Sequence, residues 1–367
     1  MHTVLVLGAY GYFGERISEA LARDPAIRLL VAGRNLASAA LAAARLQLPG
    51  ERAIALDAND PELAGRLQEL GVNTVINTAG PFQSQRYTAA TAAIQAGCHY
   101  VDLADGREFV LGIESLNSAA RARGVSVISG ASTVPALSTA VVDRYLPRFE
   151  RLDSIDIGIS SGARPPGLAT LKSVFGYCGK PFQEWRDGAW RTTYGWFNLQ
   201  RRLFPPPLGG RWLGSCDIPD LTLFPKRYPM VRTVTFRAGF AGNTGHLFVW
   251  ALSGLVRARI LPSVTPFAAP LHRIGRWLEP LGSDQGGMFV CLRGEEREGR
   301  RLLHINWNLL ARQNHGPYIP CGAAIALAKK LANGTPLPTG AMPCVGLLTV
   351  KEFLAPLHNL DIREVVE

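Results

Sequence analysis

Thr3-Val4-Leu5-Val6-Leu7-Gly8-Ala9-Tyr10-Gly11-Tyr12-Phe13-Gly14 reads as an apolar strand that runs directly into a glycine turn. Four consecutive apolar residues after Thr3 are what a strand buried on both faces requires. A helical segment, residues 15–23, follows at once. Glycines at 8, 11 and 14 let the backbone turn tightly and approach a ligand. The N–H groups of the helix's first turn, which lack intrahelical partners, then favour an anion. The spacing is G-x-x-G-x-x-G, and in this setting it predicts a dinucleotide diphosphate held by Gly8, Tyr10, Gly11, Tyr12, Phe13 and Gly14.

Working outward, strand and helix signals alternate with short loops. Apolar strands are read at 27–32, 53–56, 72–76, 99–103 and 125–129, with helices between them, one starting at Asp60-Pro61. The pattern predicts an α/β fold whose amino-terminal part is a Rossmann-type, doubly wound parallel sheet, with ligand at the carboxyl ends of its strands. The second strand ends in Gly33-Arg34-Asn35, where an NAD site would carry an Asp or Glu for the ribose hydroxyls. An arginine suits a 2′-phosphate, so the expected cofactor is NADP(H), with Arg34 carrying the preference. Asp57 has two readings, an acceptor for the adenine amino group or a cap for the following turn. The small-residue turn Asn77-Thr78-Ala79-Gly80-Pro81 is expected to border the nicotinamide ribose, because it admits a planar ring closely.

A length of 367 residues suggests two domains, and a hydrophobic content of 47% supplies a sizeable core. The net charge of +10 invites a nucleic-acid reading. The arginines are dispersed, however, and no nucleic-acid-binding module is present, so the expectation is no nucleic acid. A basic surface suits an anionic cofactor, anionic substrates or anionic lipid equally well. No leader and no long uncharged apolar run is seen. The six cysteines are scattered without metal-ligand spacing, which predicts no metal, free thiols and a cytoplasmic location, with peripheral membrane contact left open.

The second half is less explicit. Strands are expected at 152–160, 232–239, 288–293 and 302–310, enough for a second sheet of at least four strands, and a helix at 168–177. Residues 188–229, rich in aromatics, Gly and Pro, read either as a lid or as short strands. Residues 247–281 read as two amphipathic helices divided at Pro262 and Pro266, with arginines interleaved. They either cover the sheet or lie against a membrane surface or a greasy pocket. No tyrosine has a lysine four residues on, which argues against short-chain dehydrogenase chemistry. The candidate catalytic residues are Asp102, His246 and His315, with His304 an ordinary strand residue. Tyr177 and Lys180 are candidate substrate contacts.

Together G-A-Y-G-Y-F-G at 8–14, A-G-R-N at 32–35, N-T-A-G-P-F at 77–82, Y-V-D-L-A-D at 100–105 and G-A-S-T-V-P-A-L-S at 130–138 resemble the saccharopine dehydrogenase-like family of NADP-binding oxidoreductases. The resemblance is firm over the first 140 residues and looser beyond. It implies a dinucleotide-binding domain over 1–134, a second α/β domain with a mixed or antiparallel sheet over 135–334 for substrate and dimerisation, and residues 335–367 packing back on the first. The resulting expectation is a homodimeric NADP(H)-dependent oxidoreductase, transferring hydride to or from a C=N, C=O or activated C=C bond of a small, apolar substrate. A non-catalytic NADP(H)-binding sensor and a lipid-associated protein stand as alternatives.

Overall fold

The computed structural model describes residues 1–83, 85–162, 167–240, 243–278, 283–299 and 301–367. Its contacts divide the chain into two units, Met1–Ala140 with Pro317–Leu357, and Val141–Gly316 with His358–Glu367.

In the first unit the opening apolar run is β1 (His2–Leu7), buried throughout after His2. It leads through the glycine turn into α1 (Gly14–Ala22), whose Ile17 and Leu21 face the core. The alternation continues as β2 (Ile27–Gly33), α2 (Leu36–Arg45), β3 (Ala53–Ala55), α3 (Leu63–Glu69), β4 (Thr74–Asn77), α4 (Thr88–Ala96), β5 (His99–Asp102), α5 (Arg107–Gly112), α6 (Asn117–Ala122), β6 (Ser126–Ser129) and α7 (Ser138–Tyr145). All pairings in this sheet are parallel. Counting β15 (Gly340–Pro343), which the chain supplies much later, the strand order is β15-β6-β5-β4-β1-β2-β3. The chain winds from β1 to β3 in one direction and returns on the other side of β1 at β4. Such a reversal opens a crevice at the strands' carboxyl ends. Helix α3 begins two residues later than Asp60-Pro61 suggests, because Asp60 Oδ1 accepts from Glu62 N (2.9 Å) and closes a turn first.

The second unit is built on β7 (Phe149–Ser160), α8 (Leu168–Gly176), β8 (Pro181–Arg186), β9 (Ala189–Tyr194), β10 (Gln200–Phe204), β11 (Gly209–Ser215), α9 (Asp220–Arg227), β12 (Thr233–Gly239), α10 (Asn243–Arg257), α11 (Ala268–Leu278), β13 (Gly286–Glu296) and β14 (Leu302–Ala311). With β16 (Ile362–Val366) from the end of the chain, the main path of its mixed sheet is β10-β11-β12-β7-β13-β14-β16, with the β8–β9 hairpin attached to β12. Among the described strands, only β7 and β12 pair in parallel in it. The 188–229 stretch is therefore short strands and a helix, with Pro205-Pro206-Pro207 in the β10–β11 turn. Helices α10 and α11 are separated at the two prolines as expected, and residues 279–281 of that expectation lie outside the described residues.

The remaining elements are α12 (Gly322–Ala332), β15 (Gly340–Pro343), α13 (Val350–Leu354) and β16 (Ile362–Val366). Helix α12 is buried almost all round, which its Ala-rich sequence permits by letting neighbours approach closely. Strand β15 joins the first sheet beside β6. Strand β16 pairs antiparallel with β14 in the second sheet. Residues 358–367 thus correct the expectation that everything after 334 packs on the first unit, and residues 135–140 and 317–334, expected in the second domain, belong to the first unit. The correction follows from pairing across a large sequence separation, which periodicity does not reveal.

Candidate functional site

The crevice of the first sheet lies where β1 and β4 end. Gly8 N and Ala9 N both donate to Ala32 O (2.9 and 3.1 Å), and Gly11 N donates to Gly8 O (2.8 Å), which closes the turn. Gly8 has φ +78°, a backbone region that disfavours side chains, and a Cβ there would meet Thr78 Oγ1. At Gly14 a Cβ would collide with the Gly8 carbonyl, so this glycine is what seats α1 against the end of β1. The N-cap of α1 is Phe13, with no side-chain cap. The cap position is thus left to a ligand, and the one acid of the first turn, Glu15, pairs with Arg45 at 3.5 Å.

Arg16 braces this turn from behind. Its guanidinium donates to Tyr12 O and stacks over the Tyr12 and Tyr318 rings, 4.5 and 5.0 Å from their centroids. The Cys321 thiol donates to Phe13 O at 3.7 Å. Sequence reading missed both residues. The spacing of Arg16 four residues after Tyr12 was visible, but Tyr318 and Cys321 come from the far end of the chain.

At the end of β2, a Cβ on Gly33 would overlap the Tyr10 ring. Tyr10 therefore lies across this strand end, and its hydroxyl accepts from Asn35 N (3.0 Å). Asn35 Oδ1 in turn accepts from Ser38 N (2.9 Å), capping α2. Arg34 is exposed and forms no ion pair with any described residue. Asp57 Oδ1 accepts from Asn59 N (3.0 Å), which caps the turn after β3.

Beyond β4, Thr78 Oγ1 donates to Leu7 O and Gly8 O (2.8 and 3.1 Å), stitching the two strand ends together. Asn77 Oδ1 accepts from Ala79 N (3.0 Å), and Asn77 Nδ2 donates to the Tyr100 hydroxyl (3.1 Å). Gln85 Nε2 donates to Ala79 O (2.6 Å), and Gly80–Pro81 is a cis peptide. The 77–81 turn is thus held from three sides and lies next to the Gly8 turn.

Asp102 ends β5 and is fully buried. Its Oδ1 accepts from Ala104 N, Ser129 Oγ and Gly130 N (3.0, 2.9 and 2.9 Å). Oδ2 has no partner within strict bonding distance, although the Tyr100 hydroxyl lies near enough to couple to the carboxyl. Burial pushes this carboxyl up to about 6, against the pull of its donors.

The other candidates belong to the second unit, apart from these strand ends in the sequence. His246 on α10 is fully buried near the Trp196 and Phe240 rings (5.7 and 6.3 Å), with neither ring nitrogen bonded. Burial pushes it down to about 4, so the imidazole is neutral at pH 7. His315 Nδ1 accepts from Asp361 N (2.9 Å), which ties down the segment leading into β16. Tyr177 follows α8, its carbonyl accepting from Lys180 N (3.0 Å), and Lys180 is exposed.

Residues 4–128 match the family model described as "Saccharopine dehydrogenase NADP binding domain". No curated protein matches the sequence. Among solved structures, the fold is similar to apo saccharopine dehydrogenase (L-Glu forming) from Saccharomyces cerevisiae. Identity is 15% and the TM-score 0.71, over 100% of both chains. It is also similar to an amine dehydrogenase from Mycobacterium smegmatis at 10% identity and TM-score 0.51, over 95% of this chain and 96% of that one. At these identities the likeness is one of fold.

Proposed function

We propose that this chain, whose amino-terminal unit is an NADP-binding domain of the saccharopine dehydrogenase-like family, is an NADP(H)-dependent oxidoreductase acting on a C=N, C=O or activated C=C bond. The observation that carries the reading is the first unit's switch point. There a turn with no room for a side chain at Gly8 or Gly14, and a helix start without a side-chain cap, adjoin a strand end bearing an exposed arginine. These features fit a dinucleotide with an extra phosphate. NADPH, when bound, supplies the hydride.

The chain's own residues bind and orient. The Gly8–Gly14 backbone and the start of α1 take the diphosphate, and the Arg34 guanidinium takes the 2′-phosphate by charge-assisted hydrogen bonds. The Tyr10 ring, packed over Gly33, offers the adenosine end a flat wall. Asn77–Pro81 forms the floor for the nicotinamide ribose, kept rigid by Thr78, Gln85 and Tyr100. Asp102 is a positioning residue. Through three donors it holds the ends of β5 and β6 together, and through Tyr100 it supports Asn77.

Of the second unit's candidates, His315 is engaged by Asp361, whereas His246 keeps both ring nitrogens unbonded. His246 is the one we assign to the substrate, as a neutral imidazole able to accept or donate one hydrogen bond. Tyr177 and Lys180 are further proposed contacts. The apolar, aromatic character of this unit favours an apolar substrate.

The reading is tested by following NADPH absorbance with panels of imines, aldehydes, ketones and enoyl compounds. Turnover with one class, lost in Gly14→Val, is expected. Tight NADPH binding with no turnover across all panels would instead support a non-catalytic nucleotide sensor.

A further inference from the structure

Over residues 243–278 the chain has four arginines and no Asp or Glu. The outward positions of this stretch are also largely apolar. On α10, the outward positions are Leu247, Phe248, Ala251 and Leu255, followed by Ala258, Arg259 and Ile260, while His246, Val249 and Ser253 face inward. On α11 the exposed side is Ala269, Pro270, Arg273, Ile274 and Trp277, and Ala268 is buried.

An amphipathic helix on a soluble protein turns its apolar stripe inward and its polar stripe to water. These two helices leave apolar groups in water instead. Trp277 is 81% exposed, Ile260 72%, and Phe248 and Ile274 51% each. Isolated exposed apolar residues are ordinary, but on α11 Pro270, Ile274 and Trp277 follow one another at helical spacing with Arg273 beside them, and such a stripe marks an interaction surface.

We propose that the exposed face of α11, with the exposed apolar groups that precede it in residues 247–267, is a peripheral membrane-docking surface, with a bilayer containing anionic phospholipid as its occupant. The choice among occupants rests on charge and chemistry. A second copy would set an acid-free cationic patch against its own like charge. A polyanion such as nucleic acid would use the arginines but leave Ile260, Ile274 and Phe248 in water. A bilayer surface uses both. Headgroup phosphates pair with Arg259 and Arg273, Trp277 has the amphipathic ring suited to the headgroup level, and the aliphatic side chains reach the acyl boundary. Arg257 contributes less, since its guanidinium already lies over the Tyr194 and Phe197 rings, at 4.4 and 4.6 Å. Docking is superficial, because no described helix is long and apolar enough to cross a membrane. The inference does not depend on the nucleotide site.

Vesicle co-sedimentation with the full chain tests it, using pure phosphatidylcholine vesicles against vesicles with phosphatidylglycerol mixed in. Binding to the mixed vesicles should exceed binding to the neutral ones by about tenfold or more, and should weaken with salt. The double variant Ile274→Glu with Trp277→Glu should lose about a hundredfold in partitioning. Both side chains are exposed, so the fold is retained. Arg123→Glu, in the first unit, removes similar charge and should leave most binding in place.

Equal binding by the double variant and the wild type would overturn the proposal. So would equal losses in Arg123→Glu and the double variant, which would mean bulk charge alone. Absence of vesicle binding, with light scattering showing a dimer that the double variant dissolves, would assign the surface to a second copy and also overturn it.

Discussion

Asp102→Asn isolates one buried charge. The wild-type carboxyl is fully enclosed, and its three donors converge on a single oxygen, leaving the other without a strict partner. Burial outweighs those donors and moves the group from the ordinary 3.8 to about 6. The difference corresponds to about 3 kcal/mol of stability. Because the folded pKa is raised, the contribution is fully present below pH 3.8. It is lost as pH rises through about 6 and stays constant above. An asparagine keeps the Oδ1 acceptor for Ala104, Ser129 and Gly130 and places an uncharged NH2 beside Tyr100, so it carries no such loss. The variant should therefore gain about 3 kcal/mol relative to wild type between pH 4 and pH 7.5. Hydrogen exchange of the β4, β5 and β6 amides reads this unit's stability directly, without assuming that both units unfold together. A stability difference that stays constant from pH 4 to pH 7.5 would refute the reasoning, since the carboxyl would then titrate alike in both states.

Three further outcomes follow from the same contacts. Gly33→Ala displaces the Tyr10 ring and frees Asn35 N, so NADPH affinity should fall about tenfold with the fold intact; unchanged affinity in fluorescence titration would remove Tyr10 from the site. His246→Phe keeps a ring beside Trp196 and Phe240. In the wild type, burial lowers the imidazole from 6.5 to about 4, so its stabilisation is present above pH 6.5 and lost as pH falls toward 4. The variant should flatten that acid limb, as read by tryptophan fluorescence; all seven tryptophans lie in the second unit. Thr349→Ala removes a capping box in which the hydroxyl accepts from Glu352 N and the Glu352 carboxylate accepts from Thr349 N. A cost of about 1 kcal/mol in urea unfolding is expected, and no measurable cost would mean that α13 is held by packing alone.

The first sheet was legible because its signals are local. An apolar run, three glycines and a helix sit within two dozen residues, and each later strand announces itself as a short apolar run before a helix. The exposed place of Arg34 at the end of β2 was readable for the same reason, as the residue after Gly33. What was not legible depends on partners distant in sequence. Asp102 looks like a generic strand-end acid until Ser129 and Gly130 are brought to it from β6. Arg16 looks like a solvated helix residue until Tyr318 stacks on it. In the second unit, hairpins such as β8–β9 and β10–β11 are short, aromatic and interrupted by glycine, so neither period dominates. Strand β16, Ile-Arg-Glu-Val-Val, carries too much charge to read as a sheet strand, and only its edge position beside β14 accommodates that.

Isothermal titration of the nucleotide-free protein with NADPH and with NADH, repeated for Arg34→Ala, addresses the core of the account. Wild type should bind NADPH more tightly, and Arg34→Ala should lose about 10- to 100-fold for NADPH alone, as expected for charge-assisted bonds to a phosphate. Equal affinities for the two nucleotides, unaltered by the substitution, would contradict it.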